Sequence, residues 1–246
     1  MAADDLSVQL YTVREHVADD LAGTLNRLAD IGFRQVEPWA LVQRAEQYAE
    51  LLPAAGLTAP SSHVHLLDAD IDAVFAAAER VGVTTVIDPH VPAERWATRD
   101  GIREIARGLA EVAARAADRG LRVGYHNHEF ELETRIDGVS ALEVFADEAP
   151  EQVILEVDTY WAEVGSEPAA DLLRRLGDRV QFIHVKDGPR TKVDRDQVAV
   201  GSGILPIGDI LAAAPQAVRV VELDDHDGDV FEALQSSYDY LKGLEG

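Results

Sequence analysis

The sequence predicts a (β/α)₈ barrel. Short β-like apolar runs alternate with longer runs of helical period along the whole chain. Eight such units fit a chain of 246 residues, the usual size of this architecture. No Pro/Ser-rich linker or break in composition marks a boundary, so one domain spanning residues 1–246 is expected. An open doubly wound sheet would also alternate, but no Gly-x-Gly-x-x-Gly follows the first strand, where a dinucleotide site would need it.

Leu6 to Leu10 reads as the first strand, and Leu21, Leu25 and Leu28 mark a helix that stops before Gly32. Phe33 to Val36 is strand two and Ala45 to Ala55 its helix. Leu57 leads into strand three at Ser61 to His65, followed by a helix from Ile71 to Val81 closed by Gly82. Val83 to Ile87 is strand four, with a long Ala-rich helix from Thr98 to Arg119. Leu121 to Tyr125 is strand five and Val139 to Glu148 its helix. Val153 to Val157 and Val180 to Val185 are strands six and seven, separated by a helix from Pro168 to Leu176. A long charged, Gly-containing segment from Gly188 to Pro206 precedes a short helix at Ile207 to Ala214, and loops of this length are commonly functional. Val218 to Leu223 is strand eight and Val230 to Leu244 the closing helix.

Composition narrows the function. The formal charge of −23 repels phosphate backbones and anionic membrane surfaces, so nucleic-acid binding is not expected. There is no cysteine, which leaves carboxylates and imidazoles as metal ligands. Met1 to Asp5 lacks the basic and apolar segments of a secretory signal, and no run of 18 apolar residues occurs, so a cytoplasmic location without a membrane span is expected.

The anomaly is where the polar residues fall. Ile154-Leu-Glu-Val-Asp-Thr-Tyr-Trp161 should be a buried strand, yet Glu156 and Asp158 sit two apart and face the same side. Burying such groups unpartnered costs several kcal/mol, by about the 2–7 kcal/mol assigned even to uncharged polar groups, and a metal ion would compensate. His184/Lys186 and Glu222/Asp224 repeat the spacing at the ends of strands seven and eight. Gln9 and Tyr11, Glu37 and Trp39, His63 and His65, and the run Tyr125-His-Asn-His-Glu-Phe-Glu131 end strands one, two, three and five. Barrel active sites lie at the C-terminal ends of the strands. Asp158, His184 and Glu222, from successive strands, form a candidate divalent metal site; Gln9, Tyr11, Glu37, His63 and Trp161 are candidate substrate contacts.

At these residues the chain resembles the sugar phosphate isomerase/epimerase family of xylose isomerase-like barrels. The resemblance runs from Val8-Gln-Leu-Tyr-Thr-Val-Arg14 through Tyr125-His-Asn-His128, Leu155-Glu-Val-Asp-Thr-Tyr-Trp161 and His184-Val-Lys-Asp187 to Ser237-Tyr-Asp-Tyr-Leu-Lys242. It implies a metal-dependent enzyme and a ligand set of Glu, Asp, His and Glu, carried here by Glu131, Asp158, His184 and Glu222, with Glu133 as the alternative first ligand. Mn²⁺ is the implied ion, with Mg²⁺, Co²⁺ or Zn²⁺ as alternatives. Relatives have that first Glu inside strand five, a His where Trp161 stands, and Gly-Glu-Gly where Gly201-Ser-Gly203 stands here.

The expected reaction is proton abstraction next to a carbonyl, through an enediolate, isomerising or epimerising a small sugar or keto-sugar. Glu222 is the candidate base, His126 and His128 are its rivals, and Lys186 would polarise a substrate oxygen. The alternative is a lyase or dehydratase of a keto-sugar or inosose, or cleavage of a keto-glycoside, with His63 or His128 as the acid. A non-catalytic sugar-binding subunit and a homo-oligomer are further readings. Arg190, Lys192 and Arg195 are either a phosphate receptor or a solvated charged loop.

Overall fold

A computed structural model describes residues 6–244, and Met1 to Asp5, read above for a secretory signal, lie outside the described residues. Eight parallel strands form a nearly closed barrel: β1 Leu6–Gln9, β2 Gln35–Glu37, β3 Ser61–His63, β4 Thr85–Asp88, β5 Arg122–His126, β6 Val153–Asp158, β7 Val180–Val185 and β8 Val218–Val221. Apart from β2 and β3, each strand pairs in parallel with its sequence neighbours, and β8 pairs with β1. Between β2 and β3 the ladder is thinner, carried by a bridge from Gln35 to Thr58 and by His63 N–H donating to the Pro38 carbonyl at 3.0 Å.

The helices α1 Leu21–Ile31, α2 Leu41–Ala54, α3 Ile71–Val81, α4 Arg99–Ala117, α5 Ala141–Glu148, α6 Ala169–Leu176, α7 Ile207–Ala213 and α8 Val230–Gly243 each follow a strand. Asp20, Asp70, Thr98, Ser140 and Asp229 cap five of them by accepting from first-turn N–H groups, as short polar side chains do at helix starts. Strand and helix ends shift by a residue or two from the sequence reading, and two helix starts differ by two residues or more. The second helix starts four residues earlier, at Leu41, because Ala40 takes a left-handed conformation (φ 51°) that turns the chain there. Val139 and Ser140 belong to a small antiparallel hairpin with Arg135 and Ile136, so the fifth helix begins at Ala141.

Strand parity sorts the interior. Val8, Val36, Val86, Val123, Val157 and Val185 join the large core shared with the helices. The opposite face builds a separate plug of Ile87, Ile154, Phe182 and Val220. Gly124 makes room for it, since a Cβ there would come within 2.7 Å of Ile154 Cδ1. Further along the same inward parity stand Gln9, Glu37, His63, His126, Glu156, Asp158, His184, Lys186 and Glu222. The barrel is thus apolar at its floor and charged at its mouth. Among the described residues, no helix is long and apolar enough to cross a membrane.

The segment after β7 is folded back on the rim by one side chain. The buried Asp187 carboxylate accepts from the backbone N–H groups of Gly188 (2.8 Å), Gly201 and Gly203 (3.0 Å each) and Leu205 (3.1 Å). Both ends of the loop therefore converge on a residue fixed in the strand end.

Candidate active site

Above the plug, two charge clusters meet at His184. In the first, Glu156 Oε2 lies 2.6 Å from His63 Nε2, 3.1 Å from His126 Nδ1 and 3.2 Å from His184 Nε2. Glu37 backs this group: its Oε1 accepts from Gln9 Nε2 at 2.8 Å and lies 2.9 Å from His184 Nε2, and its Oε2 accepts from the Ser61 hydroxyl. In the second cluster, Lys186 Nζ lies 2.9 Å from Asp158 Oδ2 and 2.7 Å from both Glu222 Oε2 and Asp224 Oδ2. Gln197, from the long loop, holds Asp224 in place by donating to Oδ2 at 2.7 Å and accepting its N–H at 2.8 Å. His184 Nδ1 reaches Glu222 Oε2 at 2.7 Å, which joins the two clusters.

Burial decides the charge states. It pushes the Glu37 carboxyl up, and the charge of Glu156 adds to this. The same desolvation acts on Glu156, but His184 and His63 and the His126 hydrogen bond outweigh it and hold that carboxyl well below the usual range. Burial pulls His126 down to about 3, with the His184 charge in support, and pulls His128 well down, so both imidazoles are neutral. Asp158 is pushed up to about 6 by burial, against the Lys186 charge. For Lys186 desolvation is outweighed by Asp158, Asp224 and Glu222, which hold the ammonium well above its ordinary value. Glu222 is likewise desolvated, but Lys186 and His184 keep it anionic.

A cavity of about 1100 Å³ opens over these clusters, lined among others by Tyr11, Trp39, His63, His128, Trp161 and Glu222. Its outer wall toward α2 and α3 mixes Leu41, Val42, Val64 and Val74 with Gln43, His65 and Asp70. Of the expected substrate contacts, Tyr11, His63 and Trp161 line this cavity, whereas Gln9 and Glu37 are fully buried beneath it, Gln9 donating to Glu37 and Glu37 reaching His184 and His63.

The structure brings Asp158, His184 and Glu222 together, with donor atoms within 4.8 Å of one another, close enough that they could hold a metal ion. It does not bring Glu131 or Glu133 to them. Glu131 starts a short turn of helix past β5 and accepts from the Tyr125 hydroxyl at 2.5 Å and the His128 N–H at 2.9 Å. Tyr125 has the outward parity of β5 and packs on Trp96 and Phe145, so its partner carboxylate is drawn into the helix layer. Glu133 pairs with Lys192 at 2.8 Å. A second set meets the same distance criterion, namely His63, His126, Glu156 and His184. The sequence reading marked Glu156 as anomalous without giving it a role. Asp187 entered the sequence reading only as the last residue of His184-Val-Lys-Asp187, without a role, and Gln197, whose part depends on a loop, carried no sequence signal. The basic residues of the loop are each paired, Arg190 with Glu163 (3.1 Å), Lys192 with Glu133 and Arg195 with Asp225 (3.1 Å), so they do not converge as a phosphate receptor.

A profile of the xylose isomerase-like TIM-barrel family matches residues 25–219. An inosose dehydratase of Clostridium perfringens is 27% identical over 114 residues, a stretch covering 45% of this chain and 36% of that protein. The chain thus matches only about a third of the length of that curated relative. A sugar phosphate isomerase/epimerase from Parabacteroides distasonis superposes with a TM-score of 0.83 at 21% identity, covering 98% of this chain and 94% of that one. The IOLI protein, described with a zinc atom bound, superposes with a TM-score of 0.72 at 15% identity over 97% of both chains. At these identities the superpositions speak for the fold.

Proposed function

Because the chain belongs to the xylose isomerase-like TIM-barrel family, we propose that it is a divalent-metal-dependent enzyme that removes a proton next to the carbonyl of a sugar or keto-sugar. The observation that carries this reading is the pair of carboxylate and imidazole clusters joined at His184 under one cavity. The residues suit a metal: Glu156 Oε1 is buried without a hydrogen-bond partner, and carboxylate with imidazole is a donor set for Mn²⁺, Zn²⁺ or Co²⁺, less for Mg²⁺. When bound, such an ion supplies Lewis acidity toward a carbonyl oxygen.

The chain's own groups then divide the work. Glu222, an anion at the edge of the cavity, takes the proton from carbon. Lys186, 2.7 Å from it and enclosed by Asp158, Glu222 and Asp224, balances the charge of this base from beneath the cavity. His128, neutral and lining the cavity, delivers a proton from its own side and so permits isomerisation or epimerisation. Trp161 and Tyr11 flank the sugar, while Gln9 and Glu37 orient the imidazoles from below.

A second reading is a lyase or dehydratase, in which His63 or His128 protonates a leaving group on the adjacent carbon. It is favoured by the inosose dehydratase likeness and by a cavity larger than one sugar ring, with room for a leaving group beside it. Incubating chelated and Mn²⁺-loaded protein with a panel of keto-sugars in deuterated water, read by NMR, tests both. Metal-dependent deuterium at the carbon beside the carbonyl with the skeleton intact supports the isomerase, and loss of water or an aglycone supports the lyase. Neither with any substrate would leave a non-catalytic sugar-binding protein.

A further inference from the structure

The two candidate cation sets share His184 and compete for it, and the side chains around them are not equivalent. We propose that the divalent ion is held by His63, His126, Glu156 and His184, and that Asp158 and Glu222 serve instead as counter-charges to Lys186. This rests on the proposed function only in requiring a cation at the barrel mouth.

The first argument is occupancy. Asp158 Oδ2 and Glu222 Oε2 already face the Lys186 ammonium at 2.9 and 2.7 Å, with Asp224 closing the third side at 2.7 Å. Lys186 is 1% exposed, so its charge cannot retire into water. A metal binding those same oxygens at about 2 Å would stand within a few ångströms of a fixed positive charge in a poorly screened site. Glu156 forms no ion pair with lysine or arginine among the described residues; three imidazoles approach one of its oxygens at 2.6, 3.1 and 3.2 Å, and Glu37 Oε1 faces two of them, 3.1 Å from His63 Nε2 and 2.9 Å from His184 Nε2. The other Glu156 oxygen is buried and lacks any hydrogen-bond partner among the described residues. Asp158 Oδ2 also lacks a hydrogen bond, but it has the ammonium beside it.

The second argument is the tautomer of His184. Its Nδ1 sits 2.7 Å from Glu222 Oε2 and its Nε2 points at Glu156 and Glu37. A metal-bound histidine commonly donates its other ring N–H to a carboxylate, which fixes the ring and strengthens it as a ligand. Glu222 occupies that outer position, which makes it a positioning residue for His184 and leaves Nε2 for the ion. In the competing set the ion would have to displace this contact. The four ligands come from the strands β3, β5, β6 and β7 and not from loops, with the β6–β7 ladder shifting register between Leu155 and Glu156.

Zn²⁺ added at one equivalent to the chelated full-length protein is the probe. X-ray absorption at the zinc edge counts coordinated imidazoles, and three are expected; a count of one would overturn the assignment. In competition with a chromophoric chelator, His63→Gln and His126→Gln should each weaken Zn²⁺ binding by roughly 100-fold, while Asp158→Asn should change it by less than about 5-fold. The reverse ranking, or no binding by the unaltered protein at micromolar Zn²⁺, refutes the site. Thermal unfolding of each metal-free variant keeps a folding defect from being read as lost ligation, and the imidazole count needs no variant. Three imidazoles on zinc with no solvent exchange into any sugar would sink the reaction but support the site; exchange with one imidazole on zinc would do the opposite.

Discussion

Replacing Lys186 by methionine keeps the length and apolar stem of the side chain and removes only the ammonium. In the protein that ammonium faces three carboxylates at 2.9, 2.7 and 2.7 Å, two of them fully or nearly fully buried. Deleting one partner of a buried ion cluster strands the other charges and costs about 3–5 kcal/mol. For a chain of this size each kcal/mol moves the melting temperature by about 2–4 °C, so a fall of roughly 6–20 °C is expected for the metal-free protein near neutral pH. The pH dependence carries a sign. Lys186 has a folded pKa above its unfolded value, so its contribution is fully present below about 10.5 and lost only as pH rises beyond that. Glu222 is depressed, so its share is present above about 4.5 and lost on acidification. The gap between the two proteins should therefore be widest between about pH 6 and 10 and should narrow in acid, where the stranded carboxyls take up protons. Adding Asp224→Asn to the variant should recover part of the loss, because it removes one of the repelling charges. Calorimetric melts of the three proteins across pH 4.5 to 9 are the assay. A methionine variant that melts with the unaltered protein at pH 7 would refute the view that Lys186 neutralises this cluster.

Three other outcomes follow from features away from that ammonium. Burial pushes the Glu131 carboxyl up to about 8 from 4.5, so its contribution is fully present below 4.5 and is lost as pH rises toward 8, at about 1.4 kcal/mol for each pH step of one between those limits. Glu131→Gln should flatten that decline, and urea melts at pH 5 and 8.5 that stay parallel for both proteins would contradict it. Asp187→Asn should raise hydrogen exchange across 188–206 more than elsewhere, since an amide cannot accept the four N–H groups the carboxylate collects; uniform exchange would argue against it. Gly124→Val should cost about 1–3 kcal/mol in unfolding free energy through overpacking against Ile154, and an unchanged urea midpoint would show that the plug yields.

Much of this was legible in the residues because strand parity is a hard geometric rule. Glu156 and Asp158, His184 and Lys186, and Glu222 share parity within or at the end of consecutive strands, so a barrel brings them to one mouth. Glu131 shows where that rule stops. It lies beyond the strand end, where no period fixes direction, and only the packing of Tyr125 against Trp96 and Phe145 turns it outward. The partition of the inward carboxylates between a lysine and three histidines was equally hidden. It depends on which of two rings or side chains stands nearer, at differences of an ångström or less that spacing along the chain does not encode. Likewise, nothing local marks Gln197 as the support of Asp224, because that contact is made by a loop folding across the rim.

With its two ends gathered on the Asp187 carboxylate, the intervening stretch from Arg190 to Asp196 reaches the charged cluster through Gln197, which follows it and holds Asp224 beside Lys186. Its exposed side chains are therefore free to drift, or to be grafted, as long as Gln197 keeps its place on Asp224. Chimeras that exchange this brim alone should alter which molecules are admitted while leaving the chemistry beneath intact.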